Sequence, residues 1–272
     1  MHTTASDGSK TLEEALKLYK SMDYDFVCIT DHWVHSPEMF RQGLLCLAGC
    51  EYDTGKTVQE GIYHILSVGA EREPMLKKNW PTPQKIVHEI LRAGGLPILA
   101  HPQWSLNEVR EIEKIKGLAT VEIYNAVSDL PWNTRPYSGG IVDRLASDGY
   151  LMHCTAADDT HYYQSEAGNS FVWVQAESLC TKALVEALKD GRFIATQGPF
   201  FEVERHKDHI LVTCSPASQI KFYSDTVYTP NRVVSGDGLQ RAEYFFGKKD
   251  TFVRVEVTAM DGKTGWSSPM AV

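Results

Sequence analysis

At 272 residues and 43% hydrophobic content, the chain is long enough to bury a full core, as one large domain or two. A net charge of −8 argues against nonspecific nucleic-acid binding as the main activity, although a cation-filled pocket would still bind anions locally. No run approaches the roughly 20 apolar residues that span a bilayer, and no basic-then-apolar signal opens the sequence, so the expectation is a soluble, cytoplasmic protein.

In chain order, Thr11-x-x-Glu14 is a capping box, and Leu12, Ala15, Leu16, Tyr19 and Met22 follow at helical spacing. This predicts an amphipathic helix feeding a strand at Tyr24 to Thr30. A second buried run, Leu44 to Leu47, leads to Glu51. Thr82-Pro83 starts another helix, with Ile86, Val87, Ile90 and Leu91 as its buried stripe and Gly94-Gly95 ending it before a strand that reaches His101. Strands at Ala119 to Tyr124, Tyr150 to Ala156 and Phe171 to Gln175 alternate with helices at Ser138 to about Asp148 and Thr181 to Lys189. That alternation predicts a mostly parallel sheet with helices outside.

After Gly198-Pro199 the helical period disappears. Short alternating runs follow at Phe200 to Glu204, Ile210 to Thr213, Ile220 to Tyr223, Glu243 to Phe246 and Phe252 to Thr258, separated by turn clusters such as Ser235-Gly236-Asp237-Gly238 and Asp261-Gly262. They predict a small antiparallel β domain over 198–272, behind a first unit over 1–197. The six cysteines form no Cys-x-x-Cys pair, and Cys28, Cys46 and Cys154 fall inside apolar strands, as buried free thiols do.

Four of the buried runs end in polar ligand types: Asp31-His32, Glu51, His101, and Asp159 with His161. Chemistry collects at strand C-termini in barrels of alternating strands and helices, so this distribution predicts a multinuclear metal site. Each residue also has a plainer reading. Asp7 before Gly8 fits a turn, His64 fits a packed strand, and Asp31 fits a carboxylate that orients an imidazole. Trp33, Trp104, Asn125 and Tyr162 adjoin the ligand types and are candidates to line a cleft. His88, His206 and His209 are expected at the surface, and His153 near the mouth.

His2-Thr3-x-x-Ser6-Asp7-Gly8, Ile29-Thr30-Asp31-His32, Gly49-Cys50-Glu51, His64, Ala100-His101-Pro102, Val121-Glu122-Ile123-Tyr124-Asn125 and Asp159-Thr160-His161 occur in an order that resembles the polymerase and histidinol phosphatase (PHP) family of metallohydrolases. The motifs cover about the first 200 residues. The resemblance implies a distorted (β/α)7 TIM-like barrel, here followed by a small antiparallel β-sandwich similar to an accessory module of a carbaryl-hydrolase-like branch. It implies two or three divalent ions (Zn2+, Mn2+ or Fe2+). Glu51 would bridge two of them, with His2 and Asp159 on the first, His64 and His101 on the second, and Asp7, His32 and His161 on a third.

The activity so implied is hydrolysis of a small, anionic phosphate mono- or diester by a metal-bridging hydroxide, with Glu51, Asp159 and His35 assigned to the chemistry. An amide or carbamate hydrolase on the same site and a binding protein with a vestigial site are the alternatives. Arg41, Lys56 and Arg135 are the nearest candidate cations for a phosphate. Family members open with His-x-His, whereas only Met1 precedes His2 here. The expectation is therefore a start inside a longer product, reduced occupancy of the first metal position, or use of the Met1 amine. No membrane or stable nucleic-acid partner is expected; a homo-oligomer is possible.

Overall fold

The structure is a computed structural model and describes residues 1–55 and 61–272. Its elements in chain order are α1 (Leu12–Ser21), β1 (Phe26–Cys28), β2 (Met39–Arg41), β3 (Leu44–Leu47), β4 (Gly49–Thr54), β5 (Tyr63–Val68), α2 (Pro83–Arg92), β6 (Leu96–Leu99), α3 (Val109–Ile112), β7 (Thr120–Asn125), α4 (Gly139–Ser147), β8 (His153–Ala157), β9 (Phe171–Val174), α5 (Thr181–Lys189), β10 (Phe193–Thr196), β11 (Phe201–Arg205), β12 (His209–Tyr223), β13 (Val233–Phe245), β14 (Phe252–Ala259), β15 (Thr264–Trp266) and β16 (Met270–Ala271). Among the described residues no helix is long and apolar enough to cross a membrane.

Local sequence sets the helix starts. Thr11 and Glu14 close the capping box of α1, and Thr82 caps α2 with Pro83 in its first turn, where a missing N–H costs nothing. The buried faces match the apolar spacing: Ala15, Leu16 and Tyr19 on α1, and Ile86, Val87 and Ile90 on α2.

The strands form a mixed α/β arrangement in three sheets. One has the order β1-β3-β2, a second β4-β5-β6-β7-β8, and the third contains β9 to β16. The mostly parallel sheet expected from the alternation is corrected in part. Only β1–β3, β6–β7 and β7–β8 are parallel, while β4–β5 and β5–β6 are antiparallel. For β4–β5 the reason is chain length: residues 55–62 leave room for a hairpin but not for the dozen or more residues of a parallel crossover. The segment just beyond β1 also touches β4 closely, through the His32–Glu51 bridge. Gly49 permits this, because a Cβ there would lie 2.2 Å from the Ile29 carbonyl oxygen.

The second sheet packs on α2 and α4 through Ile65, Leu99, Val121 and Ile123 against Ile86, Ile90, Val142 and Leu145. The third sheet crosses residue 198: β10 pairs with β9 on one side and β15 on the other. The two expected strands at Ile210 and Ile220 are one strand, β12, interrupted by irregular pairing between Thr213 and Gln219. Pro216 lies in that interruption and offers no N–H to the ladder. Phe201, Ile210 and Val212 share one core with Phe222, Val253, Val255 and Val257, so residues on both sides of the interruption in β12 pack together.

Arg254 of β14 fastens this sheet to α4. Its guanidinium is fully buried, donates to both Asp143 oxygens at 2.5 and 2.9 Å and to Glu256 at 2.6 Å, and lies 4.1 Å from the Tyr223 ring centroid. Tyr124 and Trp266 stack beside it at 5.1 Å. Removing the cation strands two carboxylates in a poorly solvated place. Arg254→Met is expected to lose about 3 kcal/mol of stability in urea unfolding; an unchanged midpoint and slope would show that the ion pairs do not hold the sheet to α4.

Candidate metal centre

The N-terminal segment is drawn into the centre by Asp31, which accepts hydrogen bonds from Thr3 N and Thr3 Oγ1 and from Ser6 Oγ, each at 2.7 Å. Asp31 therefore anchors a loop rather than orienting an imidazole. His2 N donates to the Thr160 carbonyl at 3.0 Å, which places the buried His2 ring beside the end of β8. Gly8 makes the turn fit, since a Cβ there would lie 2.4 Å from the His2 carbonyl oxygen. The Met1 ammonium donates to Thr30 Oγ1 at 3.0 Å and to the Cys28 carbonyl at 3.3 Å, so its contacts are with β1 and the residues just beyond it.

All eight residues read as ligands from the sequence converge. His2 Nε2 is 3.0 Å from Glu51 Oε2 and 3.0 Å from Asp159 Oδ1. The other Glu51 oxygen, Oε1, faces His64 Nδ1 at 2.5 Å and His101 Nε2 at 3.7 Å. Asp7 lies 3.3 Å from His2 Nδ1, 3.7 Å from His32 Nε2 and 3.6 Å from His161 Nε2. Three donor groups result, His2·Glu51·Asp159, His32·Glu51·His64 and His2·Asp7·His32·His161, each with donor atoms within 4.8 Å of one another. They overlap at His2, His32 and Glu51. His101 stands just outside the tightest groups, between Glu51 and Asp159, with Asp159 Oδ2 at 3.8 Å.

Several rings are oriented from behind. The Asp159 carbonyl can only accept, so His161 Nδ1 carries a proton toward it at 2.7 Å, which leaves Nε2 as the nitrogen that faces Asp7. His101 Nδ1 contacts Ser105 Oγ at 3.1 Å, which turns Nε2 inward. His101 and Asp159, at the ends of β6 and β8, and Trp33, next to His32, all have positive φ (28°, 52° and 57°), a costly conformation for such side chains that tertiary packing has to impose.

Electrostatics follow from this crowding. Burial opposes charge on Glu51, but hydrogen bonds with His101, His2 and His64 prevail and hold its pKa well below the usual range. Asp159 is likewise lowered against the cost of burial, by His2. Burial also opposes charge on His2, yet Asp159, Asp7 and Glu51 together raise its pKa to about 11. One imidazole N–H cannot satisfy two carboxylates at 3.0 Å equally, and three acids meeting here repel one another unless cations separate them. A mixed imidazole and carboxylate donor set of this kind suits Zn2+, Mn2+ or Fe2+.

Other residues were not singled out as site groups in the sequence. Asp53 is two positions beyond Glu51 on β4, hence on the same face; it pairs in register with His64, lies 3.4 Å from His32 Nδ1 and accepts from Trp33 Nε1 at 2.7 Å. The strand period contained that signal. Glu122, buried on β7, accepts from His101 N at 2.7 Å and Asn125 Nδ2 at 2.9 Å; burial and the Asp159 charge push its pKa well up. Lys78, with no motif around it, lines an open cavity of about 450 Å³ together with Ser6, Asp7, His32, Asp53 and His64.

Some expectations place differently. Among the described residues His35 forms no hydrogen bond or ion pair with the cluster, and burial lowers its pKa while Glu73 opposes the shift. Arg41 pairs with Glu13, Arg135 is exposed beside Thr134, and Lys56 lies outside the described residues. His153 begins β8, at the opposite strand end from Asp159. Trp104 packs its ring edgewise on His101 and His64, Asn125 Nδ2 donates to Asp159 at 3.1 Å, and Tyr162 adjoins His161.

No family model matches the chain, and no curated protein matches it. Among solved structures it is similar to an amidohydrolase from Chromobacterium violaceum with bound sulfate and no metal, at 13% identity and a TM-score of 0.46 over 61% of this chain and 87% of that one. It is also similar to a protein assigned as a metal-dependent phosphoesterase from Bifidobacterium adolescentis, at 13% identity and a TM-score of 0.46 over 59% and 85%.

The raised pKa of His2 has a definite sign. With its folded value above the unfolded one, the protonated ring adds stability to the metal-free protein that is complete below about pH 6.5 and fades as the pH rises toward 11. A metal must displace that proton. Loading Mn2+ or Zn2+ at pH 7, followed by calorimetry in buffers of different ionisation enthalpy, is expected to release about one proton or more per chain; release of none would contradict the protonated state of His2.

Proposed function

We infer that the chain is a metal-dependent hydrolase of the PHP type, acting on a small phosphate mono- or diester. The observation that carries this reading is the split of Glu51, whose two buried oxygens face separate donor groups, His2 with Asp159 on one side and His64 with His101 on the other. A carboxylate so placed suits a shared ligand of two cations, and Asp7, His32 and His161 supply donors for a third. When bound, such cations supply Lewis acidity, polarising a phosphoryl oxygen and bringing the pKa of water toward neutrality.

The remaining work falls to the chain's own side chains. Glu51 and Asp159, held ionised, offset the positive charge brought together at the centre. His161 is oriented by the Asp159 carbonyl so that Nε2 faces the centre, where it would hold a cation. Lys78, exposed and lining the same cavity as Asp7 and His64, would provide the cation for a phosphate oxygen that Arg41 and Arg135 do not bring there. This favours an anionic ester over a neutral carbamate.

Glu51→Gln preserves size but removes the shared charge. It is expected to lower kcat/KM for the best phosphate ester by about 10³-fold or more, the scale of several kcal/mol of lost transition-state stabilisation. Parallel assays of an aryl phosphate, a phosphodiester and an aryl carbamate on the metal-loaded chain test the substrate class. Turnover of the carbamate alone would refute the phosphoester reading, and undiminished activity in Glu51→Gln would refute the metal-based one.

A further inference from the structure

We propose that Trp132 and Tyr162 form an aromatic platform at the edge of the metal centre and select substrates whose anionic group is joined to a flat aromatic ring. The inference deepens the hydrolase reading and rests on it for the location of the anionic group. Trp132 and Tyr162 are 60% and 50% exposed, and their ring centroids lie 5.9 Å apart at an interplanar angle of 82°. Large aromatic faces left in water are an unspent source of binding free energy. These two are tied to the cluster on both sides.

Tyr162 follows His161 directly, with ring centroids 6.3 Å apart, and His161 Nε2 faces Asp7 on the wall of the charged cavity. Trp132 precedes Asn133, whose Oδ1 accepts from Trp104 Nε1 at 2.9 Å; the Trp104 ring in turn lies 4.9 Å from His101 and 5.8 Å from His64. Aromatic groups thus border the cluster from His101 round to His161, whereas Lys78 and Asp53 belong to the charged cavity.

The platform is also rigidly mounted. Buried Glu166 accepts the backbone N–H groups of Tyr162 and Tyr163, both at 2.6 Å, and Ser9 Oγ donates to the Tyr162 carbonyl at 2.9 Å. Asn133 Nδ2 donates to the Val127 carbonyl at 3.1 Å, and Asn133 N to the Leu130 carbonyl at 2.7 Å, which fixes the turn carrying Trp132. Two edge-to-face rings on stiff backbone leave a corner into which a planar ring fits with one stacked and one edge contact. An aliphatic ring of equal size is thicker and lacks the quadrupole.

The test is calorimetry on the Mn2+-loaded full chain with two probe pairs: benzylphosphonate against cyclohexylmethylphosphonate, and phenylacetate against cyclohexylacetate. Each pair shares an anionic head and differs only in its ring. The aromatic member is expected to bind about three- to tenfold more tightly. In Trp132→Ala and Tyr162→Ala the ratio is expected to fall to about one, whereas a purely structural role would weaken both members equally.

Aromatic preference in the carboxylate pair, with no phosphonate binding, supports the platform and retires the phosphoester reading. Equal binding of the two phosphonates retires the platform and leaves that reading standing. No binding of any probe, or an aromatic preference unchanged in both variants, overturns the proposal.

Discussion

The constraint on which the rest depends is the burial of Glu51 between opposed imidazoles. A carboxylate with almost no access to water must be compensated, and here each oxygen has its own set of partners drawn from different parts of the chain. The N-terminal segment, the end of β1, the middle of β4 and β5, and the ends of β6 and β8 all have to arrive together for that to happen. The supporting contacts serve this convergence: Asp31 holds Thr3 and Ser6, Gly49 lets β4 approach the end of β1, and Glu122 holds the backbone of His101.

The strained residues fit the same view. Positive φ at Trp33, His101 and Asp159 costs free energy locally, and the packing of the surrounding sheets and helices has to impose it. The gain is directional. A strand that simply continued would point successive side chains alternately to the two faces of its sheet, whereas a residue with positive φ beyond its end redirects the chain and with it the side chain. The link from Arg254 to α4 lies behind the loop of residues 131–138 and ties it to the third sheet, since Arg254 also donates to the Tyr137 hydroxyl.

Much of the centre was legible because its residues combine two signals, an apolar run and a ligand type at or near its end. His32, His101 and Asp159 follow that rule, and His161 comes two residues later. Glu51 follows the Leu44–Leu47 run as well, but it lies inside the next strand, β4, rather than at a strand end, and its bridging role is what the resemblance of Gly49-Cys50-Glu51 implies. His64, also inside a strand, depended on the resemblance too. Asp53 carries the other kind of signal, a two-residue spacing from Glu51 that places both on one face of β4. Lys78 and Glu166 left no local trace; their roles arise from loops brought together only in the fold. For the same reason strand positions were read better than strand direction: apolar content marks burial, but neither the antiparallel β4–β5–β6 run nor the fusion of two short runs into β12 is encoded in hydrophobicity alone.

The most direct measurement is anomalous X-ray diffraction from crystals soaked in Mn2+ or Zn2+, collected on both sides of the metal absorption edge. Separate metal peaks are expected on the two sides of Glu51, one beside His2 and Asp159 and one beside His64. A molecule that holds Glu51 and its imidazoles as described, yet shows no anomalous peak among them, would contradict this expectation.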